Sequence, residues 1–237
     1  MRHTGTIWWD FDGTLVSRPS MWADAGHRLL ATHRPDLATG PERFAHPLST
    51  GFPWHRPDLG HPELTTSDTW WQQVYRHYAS VFAEMGWPTS EAEPVLSGIR
   101  QHILDAAGYR VFDDVEPVLS RLSQRGWRHI VVSNHVPELP ALLDDLRLST
   151  FFDAVVTSGV VGYEKPHHRM FEAARAHTTG DGPIWMVGDN PVADCEAATS
   201  FGVNAVLVRT RTGFHRRAED LWGVLELLHS TECEARS

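Results

Sequence analysis

The chain has 237 residues, a length that is enough for one large domain or for a core with a smaller insert. Of these residues, 41% are hydrophobic and 22% are charged, which is typical of a globular protein. Its formal net charge of −9 disfavours nonspecific binding to nucleic acids and to anionic membranes. No apolar run approaches the length of a bilayer span, so we expect neither a nucleic acid nor a membrane as a partner.

The cysteine content and the start of the chain bear on the compartment. Two cysteines, Cys195 and Cys233, do not make a disulfide framework. The first strand pattern begins by Gly5 or Thr6, which leaves no room for a cleavable signal. A reducing cytoplasm is therefore the predicted location.

The first predicted element is a buried strand at 6–9, and two carboxylates follow it directly. Asp10 and Asp12 are one residue apart, so they would point the same way if the strand continued. Two like charges on one face repel each other and would be unfavourable in a core. A divalent cation or an acid/base pair would account for them.

The next part of the chain, residues 17–109, contains no convincing buried strand. Apolar residues recur at helical spacing near 22–30, 67–85 and 95–103. The stretch 34–66 is rich in Pro, Gly and His, and such a long irregular stretch is typical of a lid, a binding loop or a disordered segment. We predict an all-helical insert after the first strand.

From residue 110 onward, strand patterns alternate with helical patterns. This rhythm predicts a parallel sheet with helices on both faces, an α/β fold. We therefore divide the chain into a core of residues 1–16 and 110–230, an insert at 17–109 and a polar tail at 231–237. The predicted strands of this part are 129–132, 154–156, 184–187 and 205–208, and the predicted helices are near 115–125, 138–146, 167–176, 192–201 and 217–228.

Polar residues stand at or just after the ends of these predicted strands. The carboxyl ends of parallel strands form one edge of a sheet, so residues far apart in sequence converge there. In addition to Asp10 and Asp12, the residues concerned are Ser133, Asn134, Lys165, Asp189 and Asp194.

Their chemistry indicates transfer of a phosphoryl group. Asp10, Asp12 and Asp189 would repel one another unless a hard cation lay between them, and an all-oxygen ligand set suits Mg²⁺. Lys165, the only lysine beside 20 arginines, adds a compact positive charge for the transferring group. The Ser133 hydroxyl could bind the remaining phosphate oxygens. A carboxylate can itself act as the nucleophile and form an aspartyl-phosphate.

These residues carry a resemblance to the haloacid dehalogenase-like hydrolase superfamily, to its subfamily I with a helical C1 cap and to its phosphatase-type members. The resemblance implies a Rossmann-like sheet in the order 5-4-1-2-3, counting predicted strands along the chain, with residues 17–109 as the cap. The segments that resemble the four motifs of the superfamily are Asp10-x-Asp12-Gly13-Thr14, Ser133-Asn134, Lys165-Pro166 and Gly188-Asp189-(x)4-Asp194.

The resemblance also implies a role for each residue. Asp10 would be the nucleophile, and Asp12 would be the general acid and then the general base. Mg²⁺ would be held by Asp10, by the backbone carbonyl of Asp12 and by Asp189, with Asp194 supporting the site. The remaining predicted site residues bind substrate, with Lys165 also screening charge at Asp10, and they are Thr14, Ser133, Asn134 and Lys165.

Three functions stay open at this stage. The first is a Mg²⁺-dependent phosphatase acting on a small phosphorylated metabolite, and the second is a phosphomutase similar to β-phosphoglucomutase. The third is a non-catalytic binding protein with the same fold. The insert residues that face the substrate are also open, because Trp22 is more typical of a cap core, whereas Arg18, Trp54 and Arg56 are candidates for contact. The sequence does not predict an oligomeric state.

Overall fold

The computed structural model describes residues 4–234, with side chains up to residue 230. Its strands are β1 (Gly5–Trp9), β2 (Val16–Ser17), β3 (Arg110–Val111), β4 (Trp127–Ser133), β5 (Ala154–Thr157), β6 (Ile184–Gly188), β7 (Asn204–Val208) and β8 (Arg217–Ala218). Its α-helices are α1 (Met21–His33), α2 (Glu42–Ala45), α3 (Ser67–Glu84), α4 (Thr89–Ala92), α5 (Ser97–Leu104), α6 (Val115–Gln124), α7 (Leu139–Asp145), α8 (Ser158–Val161), α9 (His168–His177), α10 (Ala197–Ser200) and α11 (Leu221–Glu234). A π-helical turn covers Pro191–Glu196, and short 3₁₀ turns cover Pro47–Ser49, Pro53–His55, Pro62–Leu64, Glu93–Val95, Ala106–Gly108 and Ser149–Phe151.

Six strands form one parallel sheet in the order β5-β4-β1-β6-β7-β8. The predicted α/β class and the predicted order of five strands are confirmed, and β8 adds a sixth strand at one edge. Strand β1 lies in the middle, where Trp9 pairs with Val131 on one side and with Val187 on the other. The carboxyl end of β1 is therefore flanked by the ends of β4 and β6, the arrangement in which open α/β sheets bind ligands.

Helices cover both faces of this sheet, as the buried strand patterns predict. In β1, Ile7 and Trp9 pack into the core on one face, whereas Trp8 packs into the core on the other. The two indole N–H groups are satisfied, since Trp9 donates to His129 Nδ1 at 3.0 Å and Trp8 donates to Thr178 Oγ1 at 3.0 Å. The strand that ends in Asp10 is thus fixed from both sides.

Between residues 18 and 109, the described elements are all helical, and they form an apolar core of their own. Helix α3 begins after Thr66, whose hydroxyl accepts a hydrogen bond from the backbone N–H of Thr69 at 3.3 Å. The antiparallel ribbon of β2 and β3 joins the two points where the chain leaves the sheet and returns to it. These features support the proposed division into a core and a cap.

Two carboxylates, one partly and one fully buried, connect the helical insert to the loops at the strand ends. Glu138, just before α7, accepts hydrogen bonds from Arg100 at 2.7 Å, from the indole of Trp71 at 3.1 Å and from Ser67. Glu164 Oε1 lies 3.1 Å from His61 Nε2, and both side chains are buried. The insert is therefore attached over the edge of the sheet where the predicted site residues lie.

The structure corrects the sequence-based boundaries at the C-terminal end. The last helix was expected at 217–228, but Arg217–Ala218 pairs with β7 as strand β8, and the helix begins at Leu221. The Asp220 carboxylate accepts from the Gly223 N–H at 2.9 Å, which caps the true start. The helix continues to Glu234, beyond its expected end at 228, and residues 235–237 of the predicted polar tail lie outside the described residues.

The helix expected at 192–201 is also different, because it begins as the π-helical turn Pro191–Glu196 and only then becomes α10. Among residues 4–234, no helix is both long and apolar enough to cross a bilayer.

One buried carboxylate joins three parts of the core and yields a stability prediction. Asp114 pairs with Arg209 at 2.5 Å and accepts from the N–H of Leu221 at 2.8 Å, while Arg209 also donates to the carbonyl of Thr14 at 3.0 Å.

Asp114→Ala leaves a largely buried guanidinium without its partner, so we expect a loss of about 3 kcal/mol in unfolding free energy, measured by urea denaturation. The neighbouring Asp113 is 94% exposed, and Asp113→Ala is the matched control with no measurable loss. Equal stability of the two variants would contradict the role of the Asp114–Arg209 pair in stabilising the core.

Candidate active site

Three carboxylates from separate parts of the chain meet at the carboxyl end of the sheet. Asp10 follows β1, Asp189 follows β6, and Asp194 lies in the π-helical turn after it. One oxygen from each of the three lies within 4.8 Å of the others. Opposite ligands of a Mg²⁺ ion are about 4 Å apart, because each Mg–O distance is about 2.1 Å, so the spacing of these oxygens is close to what such an ion requires.

Lys165 lies between two of these carboxylates. Its Nζ is 2.7 Å from Asp10 Oδ1 and 2.5 Å from Asp194 Oδ1, and the side chain is buried. Burial lowers the pKa of Lys165, but the two carboxylates raise it by more, and the net pKa lies well above its ordinary value. Lys165 therefore remains charged and neutralises part of the cluster.

Residues after β4 complete this arrangement. Ser133, the last residue of β4, donates its hydroxyl to Asp10 Oδ1 at 3.0 Å. Asn134 binds the backbone of Lys165 at both ends, accepting from its N–H at 2.6 Å and donating to its carbonyl at 2.9 Å. Asn134 thus positions the lysine, a contact that the prediction of substrate binding did not include.

The turn that carries Asp194 is held by hydrogen bonds from its own start. Asn190 Oδ1 accepts from the N–H groups of Val192 at 3.0 Å and Ala193 at 2.9 Å. The N–H of Asn190 donates to Asp194 Oδ2 at 3.0 Å. Sequence reasoning missed Asn190, although an Asn directly before Pro191 at a helix start is a capping signal that could have identified it.

Two glycines allow the carboxylates to come so close to the backbone. A Cβ on Gly13 would collide with the Asp189 carboxylate, and a Cβ on Gly188 would collide with the Asp194 carboxylate. Gly13 also has φ +76°, which disfavours other residues. The glycines of the first and the fourth predicted motif therefore provide the space that the acidic cluster needs.

Three carboxyl groups of the site have raised pKa values. Burial, followed by repulsion from Asp10, raises the pKa of Asp12 and of Asp189 to about 7. Burial also raises the pKa of Asp194, to about 6, although Lys165 opposes the shift. Such shifts mark a site where carboxyl groups are removed from water and crowded together.

Asp12 stands apart from the other carboxylates, with its side chain 38% exposed. Its Oδ2 lies 3.6 Å from Nε2 of His135, whose pKa burial lowers to about 3, so the imidazole is neutral. A carboxyl group that titrates near neutrality at the edge of a crevice can both donate and accept a proton.

Thr14 lies deeper than the prediction of substrate binding suggests. Its side chain is fully buried, and its hydroxyl has no hydrogen-bond partner among the described residues. Its backbone carbonyl accepts from Arg209. The predicted role of Thr14 in substrate binding remains a prediction.

A cavity of about 430 Å³ opens beside Asp12 and Lys165. Side chains of the insert form its opposite wall, with Met21 and Trp22 from α1 and Trp54 from the turn Pro53–His55. Sequence reasoning favoured Trp22 as a core residue, and Trp22 does pack against the core of the insert, while part of it also lines the cavity.

The other insert candidates do not line this cavity. Arg18 donates to the backbone carbonyls of Ile103 at 2.8 Å and His102 at 2.5 Å, and Arg56 is exposed to solvent.

Comparison with known proteins gives a consistent result. A family model described as haloacid dehalogenase-like hydrolase matches residues 4–202. The mouse (Mus musculus) haloacid dehalogenase-like hydrolase domain-containing protein 3 is 30% identical over 154 residues, which is 64% of this chain and 60% of that protein. A phosphoglycolate phosphatase of Caulobacter vibrioides is 34% identical over 158 residues, which is 63% of this chain and 64% of that protein. The chain thus spans about 60% of the length of the curated relatives it matches.

Among solved structures, the magnesium-bound HAD-hydrolase YfnB of Bacillus subtilis superposes with a TM-score of 0.73. The alignment covers 96% of this chain and 100% of that one at 16% identity, so the likeness concerns the fold.

The raised carboxyl pKa values yield a prediction about cation binding. The folded-state pKa of Asp189, about 7, lies above its ordinary value of 3.8. The metal-free protein therefore loses stability as the pH rises from 3.8 to about 7, because the unfolded state ionises first. A bound cation removes this repulsion only when the carboxylates are ionised. At about pH 8 we expect MgCl₂ at roughly tenfold above its Kd to raise the unfolding temperature by roughly 3–5 °C, and at about pH 5 to have little effect.

Calorimetry of variants separates this effect from general salt stabilisation. Asp189→Asn removes one carboxylate, so it should raise the metal-free unfolding temperature at pH 8 and abolish the response to MgCl₂. Asp145→Asn, at an exposed position at the end of α7, is the matched control and should keep the response. A magnesium response that persists in Asp189→Asn would contradict the metal site.

Proposed function

Since the chain belongs to the haloacid dehalogenase-like hydrolases, we propose that it is a Mg²⁺-dependent phosphatase that hydrolyses a small phosphorylated metabolite. The observation that carries the proposal is the Asp10 carboxylate at the end of β1, with its Oδ1 bound to Ser133 and Lys165 and the Asp189 carboxylate beside it. A buried carboxylate with this surround is a nucleophile placed among groups that stabilise a phosphoryl anion.

Asp10 and Asp12 divide the chemistry between them. Asp10 attacks phosphorus, the bond from phosphorus to the leaving oxygen breaks, and Asp12 donates its proton to that oxygen. Asp12 then takes a proton from a water molecule, which attacks phosphorus and releases Asp10 and inorganic phosphate. The pKa of Asp12, about 7, supports both roles near neutral pH.

Lys165 and Ser133 act on the charge of the reacting group. The ammonium of Lys165 offsets the repulsion between Asp10 and an incoming phosphate, and the Ser133 hydroxyl can turn from Asp10 to a phosphate oxygen. Asp10, Asp189 and the backbone carbonyl of Asp12 would hold Mg²⁺ with support from Asp194, and the ion would supply further charge neutralisation.

The helical insert and the compartment complete the proposal. The insert, attached through Glu138 and Glu164, limits the access of water to the crevice and contacts the rest of the substrate. A cytoplasmic location agrees with the content of two cysteines. The phosphomutase alternative is separated by product analysis, because a mutase yields an isomerised sugar phosphate and a phosphatase yields free phosphate.

The nucleophile is tested first. We expect Asp10→Asn to lower phosphate release from 4-nitrophenyl phosphate about a thousandfold or more, because an amide is not a nucleophile. EDTA should abolish the activity of the unmodified protein, and added MgCl₂ should restore it. Asp145→Asn is the matched control. Turnover retained by a well-folded Asp10→Asn variant would contradict the proposal.

The two roles of Asp12 are tested by the leaving group. 4-Nitrophenolate leaves without a proton, so Asp12→Asn should still release a burst of one equivalent and then stall before water attacks. The phosphorylated protein should accumulate, with the modification on Asp10 by mass spectrometry. For an alkyl phosphate the same variant should lose about 10²–10⁴ in rate with no burst. Equal losses on both substrates, without a burst, would exclude Asp12 as the general acid.

A further inference from the structure

The two sides of the cavity differ in polarity. The side formed by the sheet presents Asp12, Asn134 and Lys165, whereas the insert presents Met21, Trp22 and Trp54. Lys165 is the one Lys or Arg among the described residues that line the cavity, and Asp10 and Asp194 already bind it. A second anionic group on the substrate would therefore meet no cation on the insert side.

Arg18, on the insert, does not line this cavity but an adjoining pocket that shares Asp12 and Trp22 with it, and its guanidinium already makes hydrogen bonds. It donates to the carbonyls of His102, Ile103 and Asp105 at the end of α5, and it stacks on the ring of Tyr109 at 4.5 Å. Turning the two Nη groups of Arg18 towards a substrate carboxylate would remove these hydrogen bonds from the end of a helix. Arg18 is thus a structural residue of the insert.

The aromatic side of the cavity is rigid. Trp54 stacks on the buried Phe52 with ring centroids 4.3 Å apart and planes 10° apart, and Trp22 lies 5.1 Å from Trp54. Val192 adds an apolar side chain, 53% exposed, at the opposite rim. An aromatic surface left partly open beside a catalytic carboxyl is typical of a binding site for an apolar group.

The size of the cavity agrees with this. Cavities of about 300–1,000 Å³ are typical of drug-sized ligands, and the 430 Å³ here exceed what a phosphate and two or three carbons need. Water in the remaining volume would contact indole faces, which is unfavourable.

We propose that the substrate is a phosphate monoester whose leaving group carries an apolar, preferably aromatic, body and no second anionic group, and that this body packs on Trp22 and Trp54. The proposal rests on the proposed function and specifies its substrate class. The ester oxygen then lies towards Asp12, and the phosphate lies towards Lys165.

The test uses esters whose leaving oxygens are all alkyl oxygens, so that intrinsic reactivity is similar. The three substrates are 2-phenylethyl phosphate, ethyl phosphate and 3-phosphooxypropanoate. With Mg²⁺, kcat/KM for the phenylethyl ester should exceed that for each of the others by about tenfold or more, as burial of a phenyl ring predicts. An equal or higher value for the carboxylate ester would overturn the proposal.

Variants locate the preference on the insert. Trp54→Ala should lower the ratio of kcat/KM for phenylethyl over ethyl phosphate about fivefold or more, and Trp54→Phe should retain most of the ratio. Trp222→Ala, a partly buried tryptophan on α11 that stacks on Arg121, is the matched control and should keep the ratio. A ratio that is unchanged in a folded Trp54→Ala variant would also overturn the proposal.

Binding of non-hydrolysable analogues separates this proposal from the proposed function. Calorimetry with Mg²⁺ compares 3-phenylpropylphosphonate with propylphosphonate, and the former should bind about tenfold more tightly. Hydrolysis of all three esters without an aromatic preference would refute only the substrate class. If none is hydrolysed, the phosphatase function fails, and the two phosphonate affinities still decide whether the cavity selects an apolar group.

Discussion

The properties of the site follow from the mutual repulsion of carboxylates that the fold holds close together. Asp10, Asp189 and Asp194 offer oxygens within 4.8 Å of one another, with Asp12 close by, and one ammonium, that of Lys165, lies among them. Burial raises the pKa values of Asp12, Asp189 and Asp194, and repulsion from Asp10 adds to the shift of each. A cation that binds among these carboxylates removes part of their unfavourable electrostatic free energy, and this favours binding.

Backbone geometry makes this crowding possible. The central strand ends between two neighbours, so residues distant in sequence meet without long loops. Gly13 and Gly188 then leave the space that two carboxylates occupy, and the π-helical turn brings Asp194 back towards Lys165. The repulsion among these carboxylates favours a cation at this position, and a cation there would in turn attract the phosphoryl group of the proposed substrate.

Strand patterns and the convergence of strand ends were sufficient to predict a parallel sheet and the meeting of Asp10, Ser133, Lys165 and Asp189, because both follow from local periodicity and topology. The order of the strands came from the family resemblance, since periodicity does not say which strands are neighbours. Strand β8 was missed, since two residues are too few to show a period. The backbone contacts of Arg18 and the place of Trp22 in the cavity wall, beside its packing against the insert core, were not predicted for a different reason. An arginine that caps a helix end and one that binds a substrate look alike in sequence, and a tryptophan at helical spacing has the same pattern whether it faces a core or a cavity.

The geometry also ties substrate choice to catalysis through one short piece of chain. The segment that begins at Asp12 passes through β2, which pairs with β3, and enters α1 at Met21 and Trp22. Asp12, which we propose as the general acid, and part of the aromatic wall are therefore separated by about ten residues with little freedom between them. In the proposed complex, a leaving group that packs on Trp22 would have its ester oxygen held near Asp12 by the same contact. Binding energy from the apolar body is thus available to orient the proton transfer, which is how a remote contact can raise kcat as well as lower KM.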